Sequence, residues 1–373
     1  MEFDLDDDQR ALRDEARRFL EREAPVSYAR EMMDDDRGYR DEVWRKMADL
    51  GWVGLPFPEE AGGLGQGFVA LTILLSEMGR VVLPGPYFPT VVLGGQAILE
   101  AGTERQRKEL VPAIAAGELI TTLAYAEPMG HADPSALACE ARGDGDGFRL
   151  FGEKRMVPDA MVADRIVVTA RAADGPSLFL VERDGVEVTP VLSMDRTRKV
   201  ADLRLDGAVA ERLGEADDDP IQRVLDRAAV GLAAEMLGGA ERVLELSVEY
   251  AKQRVQFDRP IGSFQAVKHR AADMLLHVES LRSAVYYAAW AVERDHSDAS
   301  LAASMAKAYA SDAYRDVAAS GIQIHGGIGF TWEADLHLYF KRAKASEIAF
   351  GDAVWHRERV ARILRDRYAP TSS

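Results

Sequence analysis

The spacing of apolar residues changes twice along this chain. Over 6–20, Leu12, Ala16, Phe19 and Leu20 recur at three- and four-residue steps, which gathers them on one helical face. The run WRKMADLGWVGLP ends a second helix at Gly51, and PEEAGGLG is a glycine-rich loop ahead of another helical stretch over 68–79. The first hundred or so residues therefore read as helical. After about Glu118 come the short runs LITTLAY, GFRLFGEKRMV, DRIVVTAR, SLFLVER, VEVTPVL and VADLRL. They are rich in β-branched and apolar residues and separated by Gly, Asp and Pro, which predicts an antiparallel barrel or sandwich. From Asp219 the helical period returns in four long amphipathic segments, 221–253, 263–293, 297–325 and 335–367, of a length that packs into a four-helix bundle. The acidic run Asp217, Asp218, Asp219 before Pro220 suits a helix start there, since proline fits the first turn and acids favour a helix N-terminus. The predicted fold is α+β, with a helical domain at 1–117, a β domain at 118–218 and a helical bundle at 219–373. No fixed-period repeat runs through it.

Composition narrows the classes of function. A chain of 373 residues is more than one compact core usually holds, and its 47% hydrophobic and 29% charged residues are those of a globular protein. A formal net charge of −16 argues against binding to phosphate backbones, so nucleic acid is not an expected partner. The single cysteine, Cys139, has no intrachain partner for a disulfide, and the acidic start MEFDLDDDQR lacks the features of a secretory signal. No apolar run approaches the length of a membrane span. A reducing, cytoplasmic setting is expected.

No Ser-His-Asp order, nucleophile elbow or P-loop appears, which removes the hydrolase and nucleotide-kinase classes, and GGIG at 326–329 does not follow a strand as a Rossmann fingerprint would. His269, His325 and His337 have no metal-ligand spacing, so no metal is expected. Tyr286, Tyr287 and Trp290 sit at the spacing of a packed helix face.

The most specific stretch is RVQFDRPIGSFQAVKHRAADM, residues 254–274, which joins an Arg, an aromatic residue and a Gln-bearing turn between two long helices. With LAYAEPMGHAD at 123–133, QIHGGIGFTWE at 323–333 and the N-terminal LGWVGLPFPEEAGGLG, it resembles the acyl-CoA dehydrogenases, flavoenzymes that desaturate acyl thioesters. The resemblance covers essentially the whole chain, in that family's domain order. It implies FAD as cofactor, an acyl-CoA thioester as substrate, an electron-transfer acceptor, and an oligomer held by the C-terminal bundle. By the same resemblance Arg254 and Phe257 fall where the family sets a cation and an aromatic ring against the flavin dinucleotide of a neighbouring subunit. Gln323, Gly326 and Gly327 match its second dinucleotide-contacting turn. The chemistry is coherent: a guanidinium neutralises a diphosphate, a ring covers a wet edge, and paired glycines admit close approach of backbone N–H groups.

Departures from the family pattern fall elsewhere. Ala126 stands where the family usually has Thr, His131 and Ala132 where it has Gly-Ser, and Met156, Pro158, Asp159 and Ala160 where it has Trp, Thr and Asn-Gly. Hydroxyls and a ring that would serve flavin and substrate are thus missing, and a proline donates no backbone hydrogen bond. His131, replacing a small residue near the expected flavin, is the histidine of most interest, with a plain turn role as its alternative. The family's general-base Glu, directly before a Gly, lands on Phe350 before Gly351, and its alternative position on the first long C-terminal helix lands on Ala228. Neither side chain accepts a proton.

A positioned base contributes roughly 10²–10⁴-fold to such a proton transfer, so its replacement matters. Asp226, Glu235, Glu347 and Asp352 are the nearby carboxylates, each with the alternative of a solvated or ion-paired surface acid. Glu235 shares the face of Ala228 but lies about 10 Å along the axis, and Asp226 points roughly to the other side. Two readings stay open. The chain is a flavin-dependent dehydrogenase with a displaced base, or it is a base-lacking subunit that pairs with a related chain in a heterotetramer, like those bacterial assemblies of the family that desaturate steroid side-chain thioesters. The matched residues are those that the family presents across a subunit interface, whereas the departures line the chain's own pocket. That asymmetry favours the subunit reading.

Overall fold

Helix α1 (Asp7–Glu23) starts at Asp6, whose carboxylate accepts the backbone N–H of Gln9 while the Gln9 side chain returns to the Asp6 N–H. The computed structural model describes residues 5–128, 136–145, 147–214 and 220–369. The N-terminal part continues with α2 (Val26–Met32), α3 (Asp41–Asp49), α4 (Gly67–Arg80), α5 (Gly95–Ala101) and α6 (Glu104–Ala115), and a wider π-type helical stretch, Phe88–Gly94, leads into α5. α3 gives way to Gly51 at φ +75°, and the PEEAGGLG loop precedes α4.

The middle strands are β1 (Thr121–Ala124), β2 (Glu140–Asp144), β3 (Gly147–Pro158), β4 (Arg165–Ala172), β5 (Gly175–Glu182), β6 (Glu187–Val191) and β7 (Val200–Arg212). They form one seven-stranded sheet in the order β1-β4-β2-β3-β7-β5, with β6 on β7, and β4–β5 pairing closes it on itself. The barrel is mainly antiparallel, but β1 runs parallel to β4, from Thr121 opposite Arg165 to Ala124 opposite Val168, and β2 meets β4 in parallel as well. Strand β2 escapes a hydrophobicity pattern because only Ala141 of its five residues is buried.

The C-terminal part holds α7 (Pro220–Gln253), a short hairpin of β8 (Val255–Gln256) and β9 (Arg259–Pro260), α8 (Gln265–Glu293), α9 (Ala299–His325), α10 (Leu336–Ile348) and α11 (Ala353–Tyr368). α7 opens at Pro220, and the acidic run ahead of it lies outside the described residues. The expected fourth long helix, 335–367, is two helices: it breaks at Phe350, Gly351 and Asp352, and Asp352 caps α11 by accepting the Trp355 N–H at 2.8 Å. α9 packs against α8, α10 and α11. Its buried face carries Ala302, Ala303, Ala306, Ala310 and Ala313, small side chains that let neighbouring helices approach closely.

Contacts divide the chain into two compact units. One gathers α1, Thr72–Leu83 and the chain from Ala229 onward; the other holds Arg30–Leu71 and Pro84–Ala228, which includes the barrel.

Candidate functional site

In the barrel unit, β3 leaves its ladder with β7 between Lys154 and Val157. Met156 sits in that irregularity at φ +54°, with its N–H donating to the Asp202 carboxylate at 3.0 Å and its side chain 45% exposed. Pro158 ends the strand, and its carbonyl accepts the Thr122 hydroxyl at 2.7 Å. Ala126, exposed beyond the end of β1, accepts the Arg155 N–H on its carbonyl at 2.8 Å. These bonds set the last residues of β3 alongside β1 and the chain just after it, so that Ala126, Met156 and Pro158 lie along one seam. None carries a hydroxyl or an aromatic ring, and the carbonyls of Ala126 and Pro158 already accept bonds. Asp159 is buried at φ +47° and Ala160 is buried with it. His131 and Ala132 lie outside the described residues.

Behind this surface is an ion pair that the sequence reading missed. Lys154, fully buried, donates to Glu127 Oε1 at 2.7 Å and to the Thr169 hydroxyl at 2.9 Å. Glu127 also accepts the N–H groups of Ala138 and Cys139 at 2.6 and 3.0 Å, tying the end of β1 to the approach of β2. Burial pushes the Glu127 carboxyl up, but Lys154 and the two N–H groups outweigh it and hold the group below the usual carboxylate range. The signal was present: Lys154 occupies the inward register of Leu150 in an alternating strand.

In the helical unit, the hairpin after α7 turns through Phe257 at φ +55° and Asp258 at φ +61°, the pair of left-handed residues that a tight two-residue hairpin requires. Phe257 stands 85% exposed, edge-on to Phe264. Arg254 is exposed, with its carbonyl held by the Ile261 N–H at 2.8 Å. At the far end of α9, Gln323 is exposed and Gly326 turns the chain at φ +65°. A Cβ at Gly326 or Gly327 would meet nothing within 4 Å, so the backbone here lies open. The Tyr250 ring stacks on His325 at 4.2 Å, which sets the end of α7 beside the end of α9. Arg254, Phe257, Gln323, Gly326 and Gly327 thus gather at one end of the helical unit.

The corner between α10 and α11 carries Phe350. Its φ of +56° is costly for a bulky side chain, and Gly351 follows at φ +98°. A Cβ on Gly351 would sit 2.6 Å from Trp355 Cε3, so glycine is required on conformation and on space. The four candidate acids are engaged in structure. Glu235 is buried against Arg342. Glu347 accepts from Arg315 at 2.7 Å and Lys344 at 2.5 Å, and these cations hold its carboxyl low against the opposing effect of burial. Asp352 is the cap of α11. Asp226 is buried and accepts from Gln222 at 3.1 Å. Glu235 and Asp226 are therefore interior groups and not surface acids. Ala228 is fully buried.

Two bases of this corner were not foreseen. Lys307 is fully buried and donates to the carbonyls of Gly351 at 2.9 Å and Glu347 at 3.1 Å and to the Ser311 hydroxyl at 3.0 Å. Burial pushes its amine down to about 7. His356 Nε2 lies 3.1 Å from the Phe350 carbonyl, which places the donor proton on that nitrogen, and burial lowers the imidazole to about 3.

Among the described residues no helix is long and apolar enough to cross a membrane, and no group of His, Cys, Asp and Glu has the makings of a metal site.

Comparison with known proteins matches residues 6–118 to the acyl-CoA dehydrogenase N-terminal domain and residues 219–364 to the acyl-CoA dehydrogenase C-terminal domain. The acyl-CoA dehydrogenase IpdE2 of Mycobacterium tuberculosis is 36% identical over 341 residues, 91% of this chain and 92% of that protein. The acyl-CoA dehydrogenase FadE27 of the same organism is 33% identical over 91% of this chain and 92% of its own length. Among solved structures, the ChsE4-ChsE5 complex from Mycobacterium tuberculosis matches with TM-score 0.91 and 31% identity over the whole of both chains. A steroid ACAD variant, Tcur3481-Tcur3483, matches with TM-score 0.91 and 34% identity over 97% of this chain and 99% of that one.

Proposed function

The chain belongs to the acyl-CoA dehydrogenase family, and on that premise we propose that it is a base-lacking subunit of an FAD-dependent enzyme, completing the flavin site of a related chain in a heteromer. The observation that carries this reading is the α10–α11 corner. Phe350 stands in a left-handed backbone directly before Gly351, and every carboxylate that sequence offered as a replacement base is spent on an ion pair, a cap or a buried hydrogen bond.

The residues at the end of the helical unit suit a flavin dinucleotide. Arg254 offers an exposed cation for a diphosphate, Phe257 an exposed ring, and Gly326 and Gly327 an open stretch of backbone that a side chain would fill. The barrel surface suits an isoalloxazine poorly, because Ala126, Met156 and Pro158 supply neither the hydroxyls nor the ring of the family pattern. A bound FAD would supply the hydride acceptor for the β-carbon of the acyl thioester. In this assembly the partner chain's base would take the α-proton, and a separate electron-transfer acceptor would oxidise the flavin again.

Exposed Phe257, Phe330 and Trp332, at 85%, 74% and 61%, are large apolar groups of the kind that a neighbouring subunit covers. The paired name of one structural relative and the complex named in another support two unlike chains, and the steroid designation makes a steroid-derived acyl group the first substrate to try. The free, buried Cys139 is consistent with a reducing, cytoplasmic setting.

Flavin retention tests this reading. Purified alone, the chain should be colourless; produced with a related, base-bearing chain, it should join a yellow complex. A chain that holds flavin alone and has it bleached by an acyl-CoA thioester would refute the proposal.

A further inference from the structure

The corner that bears Phe350 is fastened from inside the helical unit by groups that the function has not so far used. Three of its carbonyls are taken by two buried bases: those of Glu347 and Gly351 by the Lys307 ammonium, and that of Phe350 by His356 Nε2. With Ser311, these bonds take all three protons of Lys307 when it is protonated, and every one of its acceptors is neutral. A fully buried ammonium without a bonded carboxylate is costly to keep, so its presence in the alanine-rich face of α9 calls for a return. That return is the geometry of the corner. A left-handed backbone at a bulky residue persists only where its surroundings over-determine it, and here its own carbonyl, that of Gly351 after it and that of Glu347 three residues before it are all held. Trp355 and His356, packed edge to face at 4.7 Å, close the space against Gly351.

We propose that Lys307, assisted by His356, is the positioning residue for residue 350, holding it in the left-handed conformation and fixing the direction in which its side chain is presented. The importance of position 350 rests on the family reading given above, but the clamp stands on geometry alone. It acts on backbone carbonyls, so it is indifferent to the side chain at 350. The same device would present a carboxylate at position 350 in the direction that the Phe350 ring now takes.

A comparison confined to position 350 tests this without any catalytic readout. Phe350→Gly and Phe350→Ala both remove the ring, and they differ in how easily the backbone adopts a positive φ. With Lys307 in place, the full-length Gly variant should melt above the Ala variant by about 2 °C, because only alanine is strained there. On a Lys307→Met background the gap should vanish, since the released corner relaxes for either residue. General destabilisation from losing Lys307 lowers both variants together and leaves the gap untouched. His356→Leu, which removes the donor to the Phe350 carbonyl, gives the same comparison where Lys307→Met does not fold. The proposal is overturned if the Ala variant melts as high as the Gly variant with Lys307 present, or if the gap survives removal of the clamp. Either result leaves the flavin-retention test unaffected, so a failure here is distinct from a failure of the subunit reading.

Discussion

Glu235 and Arg342 face each other inside the helical unit, with Glu235 Oε1 accepting from Arg342 Nη1 and neither side chain more than 7% exposed. Arg342 also reaches the carbonyls of Val82 and Leu83, so the pair joins α7 and α10 to the segment after α4. In the proposed reading this ion-paired carboxylate is structural and not the base. Glu235→Ala would strand a buried guanidinium and should cost about 3–5 kcal/mol of stability. Thermal unfolding is the measure. Flavin content of the complex that the folded fraction forms with a base-bearing chain is expected to stay as it was.

Arg254 separates the cofactor role from the catalytic one. If Arg254 meets the flavin diphosphate as proposed, its replacement with Ala removes a charge-assisted bond of about 1.5–3 kcal/mol, which corresponds to roughly ten- to hundredfold weaker flavin binding in the assembled complex. Equilibrium dialysis or fluorescence of released flavin measures it. The fold should be unaffected, since Arg254 is an exposed hairpin residue.

Phe350→Ala should leave turnover by the complex unchanged, because no proton passes through this ring in the proposed assembly. The steady-state rate with an acyl-CoA thioester is the check. A large loss would mean that the chain's own pocket takes part.

The α10–α11 corner should make the helical unit sensitive to acid. Burial lowers both Lys307, to about 7, and His356, to about 3. For each base the unfolded chain binds the proton more tightly than the folded one, so stability rises with pH between the folded and the unfolded value. For Lys307 that window runs from about 7 to the ordinary lysine value near 10.5, and for His356 from about 3 to the ordinary histidine value of 6.5. The slope for one group is at most about 1.4 kcal/mol per pH unit. Denaturant unfolding at a series of pH values should show wild type gaining on Lys307→Met above neutrality. Below pH 6.5 it should lose ground to His356→Leu.

How far the sequence could be read depended on the range of the interactions involved. Helices such as α1, α7, α8 and α9 are legible because their period repeats many times and their ends carry Asp6, Pro220 and Gly326. The break at Phe350 was hidden because the apolar period resumes in phase on its far side, although Gly351 and the capping Asp352 marked it. The parallel pairing of β1 with β4 joins residues more than forty positions apart and leaves no local mark. Strand β2 is too polar to stand out. The positions proposed to face the cofactor were picked out by motif, and the meeting of the α7 and α9 ends through Tyr250 and His325 is a tertiary fact. Lys154 and Lys307 were passed over as ordinary lysines, yet each is the one cation among small or apolar neighbours on a buried face, which is the trace that a buried charge leaves in a sequence.

The count of reducible flavins is the most direct test of a chain that completes a site without running one. The complex with a base-bearing partner is titrated anaerobically with an acyl-CoA thioester while flavin absorbance is followed. The account predicts a single flavin bound and bleached for each pair of unlike chains. A second flavin, bound in this chain and bleached by the same thioester, would contradict it.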